Sequence, residues 1–268
     1  MTGAAALRPE EGDLLHHVED GIATITFNRP DSRNAMTFAM YEGLAEICRA
    51  VPTDGSVKAV IVTGAGGRAF AAGTDMTQFR SFSTPEDALA YEHKMDGVLE
   101  AVERCPVPTI AAMTGACTGG GAAIAAACDL RICDWRLKFG FPIARTLGNC
   151  LSVSNLSRLS ALLGAGRTRE ILFTARLIEA EEAGAIGLVS EVLEDAEAVM
   201  TRAQALAVQL AGHAPLTLRA TKEGMRRARL QGPGAEDADL VTLCYMSGDF
   251  REGMEAFLAK RPPVWKGR

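Results

Sequence analysis

Two glycine-rich segments, Gly64–Asp75 and Gly115–Gly121, constrain this chain more than anything else in it. Each follows a short apolar run, Ala59–Thr63 and Thr109–Met113, that reads as a buried strand. Main-chain N–H groups exposed at two such strand-to-loop junctions can point at one oxygen. Two donors converging on a carbonyl oxygen stabilise the negative charge that develops when the carbonyl enolises or is attacked. The same glycines also suit tight turns and close helix–sheet packing. Neither segment has the G-x-G-x-x-G spacing of a dinucleotide fold, and no Gly-Lys-Ser/Thr occurs.

The rest of the chain supplies alternating strands and helices around these segments. Leu14–Val18 and Ile22–Phe27 flank Glu19-Asp20-Gly21, a hairpin signal. Thr37 is placed to cap a helix reaching about Ala50. Thr84-Pro85-Glu86-Asp87 is a helix start with proline at the first helical position, and that helix is expected to run to about Arg104. Helix is expected over Ala122–Cys128, then short strands over Leu130–Cys133 and Leu137–Gly140. After Ser152 the pattern turns helical: Ser152–Leu163, Arg167–Thr174 and Ala180–Ala185, with a last strand at Leu188–Leu193. Alanine-rich helices follow over Ala196–Ala211 and Pro215–Leu230, then a final pair over Ala235–Ser247 and Arg251–Lys260. The change near residue 195 divides a core, 12–195, from a helical tail, 196–268.

Composition excludes several classes. A net charge of −5 gives no global pull toward nucleic acid or an anionic membrane, and Arg226-Arg227-Ala228-Arg229 is one short basic cluster. Seven cysteines without a Cys-x-x-Cys spacing read as small hydrophobes in a reducing compartment, so a cytoplasmic protein is expected. The four histidines lack metal-ligand spacing, so no metal is expected. Met1 to Glu11 has no long apolar h-region, and no apolar run is long enough for a transmembrane helix. The first dozen residues are expected to be loose.

In this order and with these flanks, the segments resemble the crotonase (enoyl-CoA hydratase/isomerase) superfamily. The matching stretches are Asn28-Arg29-Pro30 through Asn34-Ala35-Met36, Ala69 to Met76, Gly115 to Gly121 with Cys128-Asp129-Leu130-Arg131, and Phe139-Gly140-Phe141-Pro142. Ala180-Glu181-Glu182-Ala183, Gly187-Leu188-Val189 and the tail Glu252 to Arg261 complete the set. The resemblance implies an α/β fold, a crotonase-like spiral of ββα units with a helical C-terminal trimerisation region. It implies a homo-trimer or a hexamer formed as a dimer of trimers, and an acyl-CoA substrate with no cofactor beyond its CoA moiety. By position, the two oxyanion amides fall on Thr74 and Gly120. CoA contacts fall on Arg33, Ala35, Ala72, Phe257 and Lys260, the last two often reaching a neighbouring subunit.

The pattern breaks at the side chains. Hydratases of this family resemble each other in two catalytic glutamates, and those positions here are Ala123 and Ile143, neither of which can move a proton. Water addition to an enoyl-CoA needs one group to activate water and another to protonate the α-carbon. Glu92, Asp96 and Glu100 are spaced to share a helix face, which reads as a solvated acidic face with a replacement base as the alternative. Tyr91 and His93 read as surface or packing residues. Arg145 and Asn149 are candidates to bind a polar acyl group, or form a structural turn. Cys150 is a candidate nucleophile or an inert thiol. Asp75 reads as a loop cap. The sequence leaves open an enolate-stabilising hydratase/isomerase-family enzyme, a decarboxylase, thioester hydrolase or isomerase of a functionalised acyl-CoA, and a non-catalytic acyl-CoA-binding protein.

Overall fold

The computed structural model describes residues 12–268; the expectation for the first dozen residues therefore lies, apart from Gly12, outside the described residues. The chain opens with the hairpin β1 (Leu14–Glu19) and β2 (Ile22–Phe27), followed by α1 (Phe38–Ala50). Three ββα units come next. They are β3 (Ala59–Gly64), β4 (Ala69–Ala71) and α2 (Pro85–Glu103), then β5 (Thr109–Met113), β6 (Ala116–Thr118) and α3 (Gly120–Ala127). The third is β7 (Leu130–Asp134), β8 (Lys138–Gly140) and α4 (Ile143–Thr146). After them run α5 (Val153–Leu163), α6 (Ala165–Thr174), β9 (Ile178–Glu179), α7 (Ala180–Ala185) and β10 (Glu191–Leu193). The tail holds α8 (Ala196–Ala211), α9 (Pro215–Gln231), α10 (Ala238–Tyr245) and α11 (Gly248–Leu258).

Each unit sends its first strand to one sheet and its second to another. The larger sheet has the order β1-β2-β3-β5-β7-β10, and the smaller β4-β6-β8-β9. Among the strand pairs of the described residues, β1–β2 and β8–β9 are antiparallel and the rest parallel. Parallel strands buried on both faces need apolar residues on both. In β3, Val60 and Val62 join the core formed with α1 and α2, whereas Ala59 and Ile61 face the other way. That second face, with Ile110, Ala112 and Ile132, is closed by Val199, Ala203 and Ala207 of α8. α8 is thus part of the packing of the larger sheet, and the change of pattern at residue 195 marks no break in the core.

Local signals set most boundaries. Thr37 caps α1 by accepting from the Met40 N–H, and Thr84 forms a reciprocal capping box with Asp87 at the start of α2. Four expectations are corrected. The helix expected from Ala122 begins at Gly120, so Gly120 sits in its first turn. The strand expected over Leu188–Leu193 shrinks to Glu191–Leu193, because the N–H groups of Leu188 and Val189 turn back to the Ala183 carbonyl. The final helix starts at Gly248 because the Ser247 hydroxyl accepts from the Phe250 N–H. A one-turn helix, α4, occupies Ile143–Thr146 where no helix was expected. Among the described residues no helix is long and apolar enough to cross a membrane.

Candidate active site

The two glycine segments meet because β4 and β6 pair side by side. Just beyond β4, Thr74 forms a parallel bridge with Met36. In that bridge the Met36 N–H donates to Gly73 O at 2.8 Å and the Asp75 N–H to Met36 O at 2.9 Å. The bridge therefore leaves the N–H of Thr74 itself unused, and no carbonyl partner for it exists among the described residues. Beyond β6, Gly119 takes φ 54°, ψ −121°, a conformation open to glycine, and Gly120 opens α3. A first-turn N–H has no intrahelical acceptor. α3 starts close against β4: a Cβ on Gly121 would lie 2.3 Å from the Ala71 carbonyl oxygen.

Both junctions line one cavity of about 270 Å³, together with Ala72. Asp75 does not. Its carboxylate accepts from the Thr77 N–H and hydroxyl at 3.0 and 2.7 Å and from Arg29 Nη1 at 2.9 Å. The Thr77 bonds first, then Arg29, hold its carboxyl below the usual carboxylate range. Asp75 is a loop cap.

Ala123 and Ile143 both face the cavity and give it only alkyl surface. Of the acidic face of α2, Glu92 lines the cavity. Burial, and then the charge of Asp96, push the Glu92 carboxyl up. Asp96 accepts from the Ser152 hydroxyl at 2.7 Å and Glu100 pairs with Arg104 at 3.3 Å; neither lines the cavity. Asn149 and Cys150 do, while Arg145 is exposed and outside it. Arg33 and Ala35 lie beside the cavity without lining it. The Ala72 N–H donates to Arg33 O at 3.0 Å and Arg29 Nη1 to Ala35 O at 2.6 Å, which ties this loop to the first glycine segment. Phe257 and Lys260 are exposed on the tail, and the single chain does not bring them to the cavity.

Three polar side chains at or beside the cavity escaped sequence reasoning as site residues. Tyr91, read as surface or packing, bonds its hydroxyl to Thr74 Oγ1 at 3.1 Å. Tyr41, hidden on the buried face of α1, bonds the same oxygen at 2.9 Å. Burial raises the pKa of both phenols. Asn155 of α5 lines the cavity with its Oδ1 buried and without a donor. His93 is exposed. Among the described residues no group of three or more His, Cys, Asp or Glu is placed to hold a metal ion.

Comparison with known proteins matches this architecture throughout. The sequence profile described as "Enoyl-CoA hydratase/isomerase" matches residues 17–268. The short-chain-enoyl-CoA hydratase of Clostridium acetobutylicum is 32% identical over 257 residues, covering 94% of this chain and 97% of its own. The crotonyl-CoA hydratase of Syntrophomonas wolfei is 33% identical over 255 residues, covering 93% and 96%. The crystal structure of an enoyl-CoA hydratase/carnithine racemase from Magnetospirillum magneticum superposes with a TM-score of 0.87 at 36% identity, covering 97% of each chain. The sheet pair, the ββα spiral and the helical tail are those of the crotonase fold, and the chain belongs to the enoyl-CoA hydratase/isomerase family.

Proposed function

We propose that this protein binds an acyl-CoA and forms its thioester enolate, with the N–H groups of Thr74 and Gly120 holding the enolate oxygen and Glu92 moving the α-proton. The single observation that carries this reading is that, among the described residues, two main-chain N–H groups without intramolecular acceptors and one carboxylate line the same cavity. Glu92 takes the α-proton; the electron pair moves onto the thioester oxygen, where the two N–H groups and the positive end of α3 meet it. The raised carboxyl of Glu92 suits a base that must also return its proton.

Ala123 and Ile143 argue against efficient hydration. General acid–base groups each contribute about 10²- to 10⁴-fold, so crotonyl-CoA hydration is expected far below that of a two-glutamate relative. One carboxylate that removes and returns a proton fits isomerisation or α-proton chemistry better. Arg33, Ala35 and Ala72 are proposed to contact the CoA nucleotide. Phe257 and Lys260 are proposed to do so across a trimer interface, which the exposed Tyr245, Met246 and Leu258 of the tail support.

The test is α-deuterium uptake by butyryl-CoA in D₂O, followed by mass spectrometry. The wild-type protein is expected to catalyse exchange, and Glu92→Gln to slow it about 10²-fold or more. Binding of butyryl-CoA without exchange by the wild-type protein would overturn the reading in favour of a non-catalytic binder.

A further inference from the structure

We infer that Tyr91 is a third hydrogen-bond donor to the thioester carbonyl, at the end of a hydroxyl chain Tyr41–Thr74–Tyr91. The inference rests on the enolate reading above and follows from counting protons. Three hydroxyls carry three protons, and the two bonds between them, 2.9 and 3.1 Å long, use two. Among the described residues no hydroxyl of the chain has another partner, so one proton is left for an acceptor outside the protein. Tyr41 is only 1% exposed, and its oxygen lies against Gly120, where an added Cβ would meet it at 1.8 Å. A buried O–H without an acceptor is costly, so Tyr41 gives its proton to Thr74. Thr74 passes its own to Tyr91, and the proton of Tyr91 faces the cavity that this ring lines.

The surroundings hold that donor in place. The Tyr91 ring packs edge-on against Phe79 at 4.9 Å and beside Phe38 at 5.6 Å. Thr74 contributes its N–H to the same site, so the hydroxyl chain runs beside the amide pair. Chained hydrogen bonds polarise one another, which makes the terminal O–H a stronger donor than an isolated phenol. Burial raises the Tyr91 pKa, so it stays protonated and donates without ionising.

The test uses crotonyl-CoA labelled with ¹³C at the carbonyl, with the stretch of the bound ligand read by difference infrared spectroscopy. Binding to the wild-type protein is expected to lower that frequency, and Tyr91→Phe to restore part of it. The same variant should slow α-deuterium exchange about 10²-fold, as for loss of one oxyanion donor, with ligand affinity nearly unchanged. Tyr41→Phe, which removes only the polarisation, should show the same signs with smaller size. A wild-type protein that leaves the stretch unshifted strikes the amide pair itself. A wild-type shift that Tyr91→Phe keeps in full, with full exchange rate and unchanged thermal stability, overturns the role of Tyr91 alone.

Discussion

Gly120→Ala puts the tightest contact of the site under stress. The added Cβ would lie 1.8 Å from Tyr41 Oη, 2.9 Å from Cζ and 3.4 Å from Thr74 Oγ1. The first two distances are far inside van der Waals contact, and the phenol cannot swing away because its ring is packed in the core with Leu44 and Met40. Relief must come from a shift of the Tyr41 ring or of the first turn of α3. Overpacking of this kind costs about 1–3 kcal/mol, and breaking the Tyr41–Thr74 hydrogen bond about 1 kcal/mol more. At about 2–4 °C per kcal/mol for a chain of this size, the Tm should fall by roughly 5–15 °C. A displaced Gly120 N–H should also slow α-deuterium exchange about 10²- to 10³-fold. The double variant checks the cause. Tyr41→Phe alone loses a hydrogen bond and should destabilise, but in the Gly120→Ala background it removes the clashing oxygen and should raise the Tm. The reasoning fails if Gly120→Ala melts like the wild-type protein, or if Tyr41→Phe is equally destabilising in both backgrounds.

Three further outcomes are expected. Lys222 Nζ bonds Asp129 Oδ2 at 2.6 Å and the carbonyls of Val102 and Val107, and the pair is half-buried, so Lys222→Met should cost about 1–3 kcal/mol in urea unfolding, between a surface pair and a buried one; a cost under about 0.5 kcal/mol, as for a surface pair, would contradict the structure. Burial, then Asp96, raise the Glu92 carboxyl. Its protonated form is favoured by the fold, so its stabilising effect is complete below the unfolded-state pKa and is lost as pH rises through the folded value. Exchange that uses the carboxylate as base should rise across that same window, above the usual carboxylate range, and Asp96→Asn should move the midpoint down; a profile indifferent to Asp96→Asn rejects the assignment of Glu92. Cys150 is exposed on the cavity while Cys48, Cys105, Cys117, Cys128 and Cys133 are buried, and the half-buried Cys244 has its thiol on the Leu216 carbonyl at 3.6 Å. Titration with an aromatic disulfide should therefore find one fast thiol, absent in Cys150→Ser and protected by acyl-CoA. Fast labelling that persists in Cys150→Ser would place the accessible thiol elsewhere.

What the sequence made legible was set by local interactions. Thr37 and Thr84 announce their helices because capping is decided within four residues. β5 falls on Thr109–Met113, as read, because a strand buried on both faces is a continuous apolar run. The three-residue strands β4 and β6 left no such run, and it is their pairing with each other, and of β6 with β8, that makes them strands. The hydroxyl chain was invisible for a similar reason: Tyr41 and Tyr91 lie 33 and 17 residues from Thr74 and meet it only once α1 and α2 have packed. The acidic face was legible as a face, yet its cavity-lining member was not. Residues four apart on a helix drift by about 40° per step, so when Glu92 turns to the cavity, Glu100 has rotated toward Arg104 and solvent.

The site divides its labour between main chain and side chains, and this decides which experiments are informative. The proposed stabilisation of the enolate oxygen needs only N–H groups, which persist whatever residue follows Gly119 or Gly73 provided the turns hold. The proposed proton transfer needs a side chain, and Glu92 on α2 lies on a different element from the positions of Ala123 on α3 and Ile143 on α4. Family membership therefore carries the carbonyl chemistry further than the overall reaction. Measuring hydration alone would confuse the two, because a weak hydratase can be a competent former of enolates. Exchange without hydration would locate the difference at the side chains of Ala123 and Ile143. Loss of both in Gly120→Ala, with binding retained, would locate the shared step in the main chain at the start of α3.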